Sequence, residues 1–219
     1  MATFGYIILC VLGLVFFVWI VWRLSSRRCD LPCPAWLRWF VELDNPFTKT
    51  NRAAFIVEHL GLEPGMTVLD AGCGPGRLTI PVARGIGGDG RVVAMDVQNG
   101  MLRRVKAKVD VEKLDNVEFL HAGLGEGTLG EDRFDRVLLV TVLGEIPGRK
   151  AALEEVFRSL KAGGILSITE VIFDPHFQRH STVARLAGEI GFRERKVFGK
   201  WWAFTAQYEK PACQPQEGE

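Results

Sequence analysis

Two carboxylates and a run of small residues stand where this chain could do chemistry. Asp70 ends the apolar run Val68-Leu69, and the loop Ala71-Gly72-Cys73-Gly74-Pro75-Gly76 follows at once. Glycine at every second position lets a backbone turn sharply and leaves no Cβ atoms to obstruct a ligand lying against it. Residues Arg77 to Ala83 can start a helix whose exposed N–H groups face whatever sits on the loop. Strand, loop and helix in this order make a nucleotide cradle. Asp96 ends a second apolar run. Either acid could instead only cap its own loop.

Farther along, Glu145 in Leu143-Gly144-Glu145-Ile146-Pro147 is placed to take a proton from a bound acceptor, or merely to order the next helix. His176, in Asp174-Pro175-His176-Phe177, is a further active-site candidate, whereas His121 reads as structural. The dinucleotide pattern G-x-G-x-x-G is met at Gly72 and Gly74 but fails at Arg77, because the third glycine comes one residue early at Gly76. That spacing, with Asp70 before it, argues against NAD.

The elements that must position these residues alternate from Met66 onward. Strands are expected at Val68–Asp70, Arg91–Asp96, Val117–His121, Phe134–Val142 and Ile165–Val171. Helices are expected from Arg52 to Leu60, after the glycine loop to about Arg84, over Gly100–Lys113, Lys150–Leu160 and His180–Ile190. Arg193–Phe198 and Trp201–Tyr208, separated by Gly199-Lys200, read as a terminal hairpin. Alternation of this kind implies a parallel sheet with helices on both faces.

The first 22 residues are of another character. Phe4 to Trp22 is 19 residues without a charge. As a helix it would be roughly 28 Å long at ~1.5 Å per residue, near the ~30 Å of a hydrocarbon core. Trp19 and Trp22 sit at its end, Arg23, Arg27 and Arg28 follow, and no Lys or Arg precedes it. The reading is a single-pass anchor over residues 1–22 with the bulk of the chain on the cytoplasmic side. A cleaved signal peptide fits less well, since a basic leading region and a small-residue cleavage site are missing. Residues 23–44 form a connector, in which Ala35–Leu43 places Trp36, Leu37, Phe40 and Leu43 on one side of a helix. That helix could lie in the headgroup region or pack on the domain that follows. The domain spans residues 45–210, and 211–219 read as a disordered tail.

Beyond motif and pattern, the sequence resembles the class I S-adenosylmethionine (SAM)-dependent methyltransferases over roughly Arg52 to Lys210. DAGCGPG is similar to their motif I, Phe134-Asp135-Arg136-Val137 to their "FD-V" segment, and Leu160-Lys161-Ala162-Gly163-Gly164 to their "LKPGG" turn. The resemblance implies an α/β, Rossmann-like seven-stranded sheet of order 3-2-1-4-5-7-6 with strand 7 antiparallel, here with an N-terminal transmembrane helix. It also implies SAM as cofactor, with Asp70 on its amino-acid part, Gly72, Cys73 and Gly74 along its methionine and ribose portions, and Asp96 on the ribose. Val97, Gly123 and Leu124 would flank the adenine, and Thr141 and Val142 the methionine portion.

Methyl transfer asks a protein mainly to hold the acceptor against the methyl group and exclude water; a base such as Glu145 is needed only if the acceptor is still protonated. A net charge of +1 gives no case for nucleic acid. Five scattered cysteines, of which only Cys29 and Cys33 are close, suggest neither a disulfide framework nor a metal site. An anchored domain meets lipophilic acceptors: a phospholipid amine, a quinone precursor or a hydrophobic thiol. The soluble part is similar to the ubiquinone/menaquinone and "type 11" methyltransferases. The other reading is a membrane-tethered SAM-binding scaffold without turnover.

Overall fold

The computed structural model describes residues 6, 13–14, 17–18 and 48–212. The expected anchor over 1–22 and connector over 23–44 lie almost wholly outside the described residues, as do residues 213–219 of the expected tail. Among the described residues, no helix is long and apolar enough to cross a membrane.

The described chain opens with a 3-10 turn, Lys49–Asn51, and a short helix α1 (Ala53–His59). Then follow β1 (Thr67–Ala71), α2 (Thr79–Ile86), β2 (Arg91–Asp96), α3 (Asn99–Glu112), β3 (Val117–His121) and β4 (Phe134–Val140). A 3-10 turn at Leu143–Glu145 leads to α4 (Arg149–Ser159), β5 (Leu160–Val171), α5 (His180–Ile190), β6 (Arg193–Lys200) and β7 (Ala203–Glu209). All seven strands form one sheet of order β3-β2-β1-β4-β5-β7-β6. The first five run parallel, and β7 is antiparallel to both β5 and β6. This is the expected topology.

Strands covered on both faces read as unbroken apolar runs, and alternate residues divide between two cores. Leu69, Val93, Val137 and Leu139 pack with Leu153 and Val156 of α4 and Val183 of α5. Val68, Val92 and Leu138 face the other way, onto Ile56 of α1 and Val82 and Ile86 of α2. Ala94, on that same face, meets Leu102, Val105 and Val109 of α3.

Several expected boundaries move, the most at β5, which starts at Leu160 rather than Ile165 because Leu160 already pairs with Phe134. The helix after the glycine loop starts at Thr79 rather than Arg77, since a turn through 75–78 intervenes. Strand β4 stops at Val140, because Thr141 takes a left-handed φ of 55° that turns the chain into Leu143–Glu145. Thr141 still donates its N–H to the Thr169 carbonyl at 2.9 Å, so the ladder bond outlasts the strand.

The "FD-V" and "LKPGG"-like segments turn out to be one clamp. Asp135 accepts the Thr67 N–H at 2.8 Å and takes the Lys161 ammonium on both oxygens at 2.9 and 2.8 Å. One carboxylate thus registers the start of β1 against β4 and β5. Asp135→Ala should lower stability by about 1–3 kcal/mol through the unpaired amide. Lys161→Met, which removes only a half-exposed ion pair, should cost less than about 1 kcal/mol. Thermal unfolding of the two variants checks this; equal losses would contradict the clamp.

Candidate active site

A cavity of about 390 Å³ opens at the carboxyl ends of β1, β2 and β4, within the range of about 300–1,000 Å³ typical of small-molecule sites. Ligands of open α/β sheets collect there. Its floor is the glycine loop, which is stitched to the end of β2. The N–H groups of Gly72 and Cys73 both donate to the Met95 carbonyl, at 2.8 and 2.9 Å. Gly74 donates its N–H to Asp96 Oδ2 at 3.0 Å. Only glycine fits at 72: φ is 70°, and a Cβ there would lie 2.4 Å from Val142 Cγ2. The loop backbone therefore lies flat against Val142, with cavity beyond it.

Asp96 is buried at the cavity wall and uses both oxygens locally, Oδ1 accepting the Gln98 N–H at 2.7 Å. Burial raises its pKa, while the amides of Gln98 and Gly74 pull it back. Each oxygen keeps a second lone-pair direction for a hydroxyl donor. Beside it, His121 Nε2 donates to the Val97 carbonyl at 2.9 Å, so that histidine fixes the turn after β2 rather than joining the chemistry.

Of the residues singled out from sequence, Gly72, Gly74, Asp96, Val97, Gly123, Leu124, Thr141, Val142 and Glu145 line this one cavity. Asp70 and Cys73 do not. Asp70 is turned inward, accepting the Thr79 hydroxyl at 2.6 Å. Burial pushes its carboxyl up to about 6 against the opposing pull of Thr79 and Arg77. Cys73 packs against Ala94 and Leu102 under the loop, and burial drives its thiol far above the range in which it could ionise. His176 is buried as well, with its carbonyl pressed onto Gly144, where a Cβ would come within 1.9 Å of that oxygen. In the same turn it is Asp174 that reaches the cavity.

Glu145 stands at the acceptor end. Among the described residues its carboxylate makes no hydrogen bond or ion pair. Burial raises its pKa to about 8, helped by the negative charges of Asp174 and Asp96. Glu145, Asp174, Asp96 and Glu126 all line the cavity, and among the described residues no Lys, Arg or His does. Such a lining attracts a cation and repels a pyrophosphate.

Sequence reading missed one further residue. Glu155 of α4 is buried and accepts the N–H groups of Gly125 and Leu129, at 2.5 and 3.1 Å, pinning the loop that carries Gly123 and Leu124. The signal was present: Ala152, Glu155, Val156 and Ser159 share one helical stripe, so this acid falls on the apolar face.

Sheet order, glycine loop and the acid ending β2 define the fold class of the SAM-dependent methyltransferases. A SAM-dependent methyltransferase from Aquifex aeolicus superposes with a TM-score of 0.68 at 24% identity, over 78% of this chain and 96% of that one. The [4+2]-cyclase SpnF shares the fold at 0.66 and 16% identity, over 73% and 80% of the two chains. Residues 68–164 match the family model described as a methyltransferase domain. The chain is also similar to the ubiquinone/menaquinone biosynthesis C-methyltransferase UbiE of Vibrio vulnificus, 34% identical over 125 residues, which are 55% of this chain and 48% of that protein. With the demethylmenaquinone methyltransferase of Lactococcus lactis it shares 32% identity, over 49% of this chain and 43% of that protein. The chain spans about half the length of these curated relatives.

Domain and fold imply S-adenosyl-L-methionine as the cofactor, and the residues fit it. The glycine cradle leaves room for a ligand against its backbone, Asp96 offers acceptors for a ribose diol, and the acid lining suits a sulfonium. Gly72→Ala should abolish SAM binding, and Asp96→Ala should weaken it by roughly 10- to 100-fold, the worth of about 1.5–3 kcal/mol for charged hydrogen bonds. Equilibrium dialysis with labelled SAM measures both, and an unchanged affinity in Asp96→Ala would remove that residue from the site.

Proposed function

We propose that the protein is a membrane-anchored SAM-dependent methyltransferase that acts on a lipophilic small molecule, with Glu145 as general base. The observation that carries this reading is the unpaired Glu145 carboxylate at one end of a cavity whose other wall is the glycine loop and Asp96. SAM supplies an activated methyl group, so the chain's tasks are to bind, orient and move one proton. The backbone of Gly72 and Gly74 and the carboxylate of Asp96 would hold the cofactor, and Leu124 and Met101 would cover its apolar flank. Val140, Val142, Ile146 and Pro147 bound the remaining space and exclude water, which favours an apolar acceptor over a polar one.

SAM held there would supply an activated methyl group for the acceptor's lone or π pair, the electrons of the broken carbon–sulfur bond going to sulfur. If the acceptor bears a hydroxyl, thiol or ammonium proton, Glu145 takes it. A base is most effective when its pKa lies near the working pH, and Glu145 satisfies that at about 8. A donor cation bound in this acid-lined cavity would lower that value and so favour the ionised base.

The names of the curated relatives support a quinone precursor as acceptor. Phospholipid amines and hydrophobic thiols share its apolar character. Residues 1–22 serve as the single-pass anchor, with the domain facing the cytoplasm, and the basic residues after Trp22 support that orientation. Full-length protein given methyl-labelled SAM and membrane lipid extract should place label in the organic phase; label only in water-soluble or protein acceptors would overturn the lipophilic reading. SAM binding without any S-adenosylhomocysteine would support a scaffold instead.

Glu145→Gln should retain SAM affinity and reduce kcat by about 100-fold or more. In the native protein, kcat/KM for the donor should rise as pH passes about 8, and the limb in kcat should lie lower. A pH-independent rate would remove Glu145 as base.

The same residue affects stability with a defined sign. Its folded pKa of about 8 exceeds the ordinary 4.5, so the folded chain binds more protons across that window and loses stability as pH rises through it. Glu145→Gln should therefore raise the Tm of ligand-free protein at pH 8 by several degrees, at about 2–4 °C per kcal/mol, and leave it unchanged near pH 4.5. Scanning calorimetry at both pH values checks this.

A further inference from the structure

We infer that Phe173 and Trp201 form a bilayer-facing lip beside the cavity mouth, so that the domain sits with its acceptor entrance against the lipid. This rests on the membrane-anchored reading above and goes beyond it, since an anchor alone leaves the domain free to turn.

Both rings are unusually bare for aromatic side chains in a packed domain: Phe173 is 55% and Trp201 75% exposed. They are neighbours. Val171 pairs with Ala203, and the Ile172 N–H donates to the Trp202 carbonyl at 2.8 Å, which continues the antiparallel register to Phe173 opposite Trp201. Both therefore stand at the carboxyl end of β5, the edge of the sheet that carries the cavity. The residue after Phe173 is Asp174, which lines it. Trp at a water–lipid boundary buries an apolar ring and keeps its N–H wet. Lys200 beside Trp201, and Lys49, are exposed and make no ion pair among the described residues, which suits an anionic headgroup layer.

The chain enters the domain at this same place. Thr50 lies under the β6–β7 turn, its Cγ2 2.9 Å from where a Cβ on Gly199 would stand, and its carbonyl accepts the Thr205 hydroxyl at 2.9 Å. Asn51 accepts the Arg77 guanidinium on its carbonyl at 2.6 Å and on its side chain at 3.1 Å, which ties the entry point to the glycine loop. Leu43, the last apolar residue of the sequence stretch Ala35–Leu43, is five residues before Thr48. At no more than ~3.6 Å per residue it cannot stand farther than about 18 Å from that point. With Ala35–Leu43 lying in the headgroup layer, which this proposal takes as its arrangement, that reach brings this edge of the sheet to the membrane, and the aromatic pair is what the edge presents.

The test uses the full chain with the photoreactive amino acid p-benzoylphenylalanine in place of Trp201, bound to mixed phosphatidylcholine–phosphatidylglycerol vesicles and irradiated. Adducts are identified by mass spectrometry. The control carries the same group in place of Val111, which is 81% exposed at the far end of α3, the opposite edge of the sheet. Retained SAM affinity shows that both variants fold. A lipid adduct at position 201 at least ~10-fold above that at 111 is expected. Adducts confined to residues 23–47 of the same chain would mean that this segment covers the pair, and would overturn the lip; so would equal lipid labelling at both positions, or none. Vesicle flotation reads the anchor separately. Protein that floats without lipid labelling at 201 keeps the anchored reading and loses this one.

Discussion

The whole site depends on how closely the glycine loop is bound to the end of β2. Two successive N–H groups, of Gly72 and Cys73, converge on one carbonyl, that of Met95, and the next one available goes to Asp96. This pulls the loop across the top of the sheet and sets Gly72 onto Val142, closer than any Cβ would allow. The cavity is the space that this bent backbone leaves between β1, β2 and β4. Asp96 belongs to the scaffold and to the site at once, because the oxygen that accepts Gly74 fixes where the carboxylate stands when a diol arrives. Clamps farther out serve the same arrangement: Asp135 registers β1 against β4 and β5, and Glu155 holds the loop after β3 from below.

Burying acids around the cavity has an energetic cost that the fold carries. Asp70 at about 6 and Glu145 at about 8 are both held above the ordinary carboxylate range chiefly by desolvation, and Glu170, behind them in β5, is shifted the same way. Each makes the ligand-free protein less stable at neutral pH than a neutral isostere would. Of these only Glu145 lines the cavity, so only there would a bound sulfonium offer a direct counter-charge.

Much of this was readable before any coordinates, and the exceptions have definite physical causes. A parallel sheet with helices on both faces followed from the alternation of elements, since strands buried on both faces leave unbroken apolar runs such as Val68-Leu69 and Val92-Val93-Ala94. The strand order followed from the resemblance to the class I methyltransferases. Asp96 and Glu145 were readable because each ends or follows a strand on the ligand-binding edge. Asp70 was not, because which side of a turn a carboxylate faces depends on a tertiary partner, here the Thr79 hydroxyl nine residues on. His176 and Asp174 exchanged places for a similar reason: Asp174 Oδ1 accepts the His176 N–H at 2.7 Å, and that local turn sends the imidazole inward beneath Gly144. Glu155 was not legible as a clamp because its partners, the amides of Gly125 and Leu129, lie 30 and 26 residues earlier in the chain.

The most direct measurement is calorimetric titration of the full-length protein with SAM and, separately, with NADH. An acid-lined cavity with no basic side chain among its described residues predicts saturable binding of one SAM per chain and no detectable heat from NADH. Saturable NADH binding with SAM inert would contradict the account at its centre.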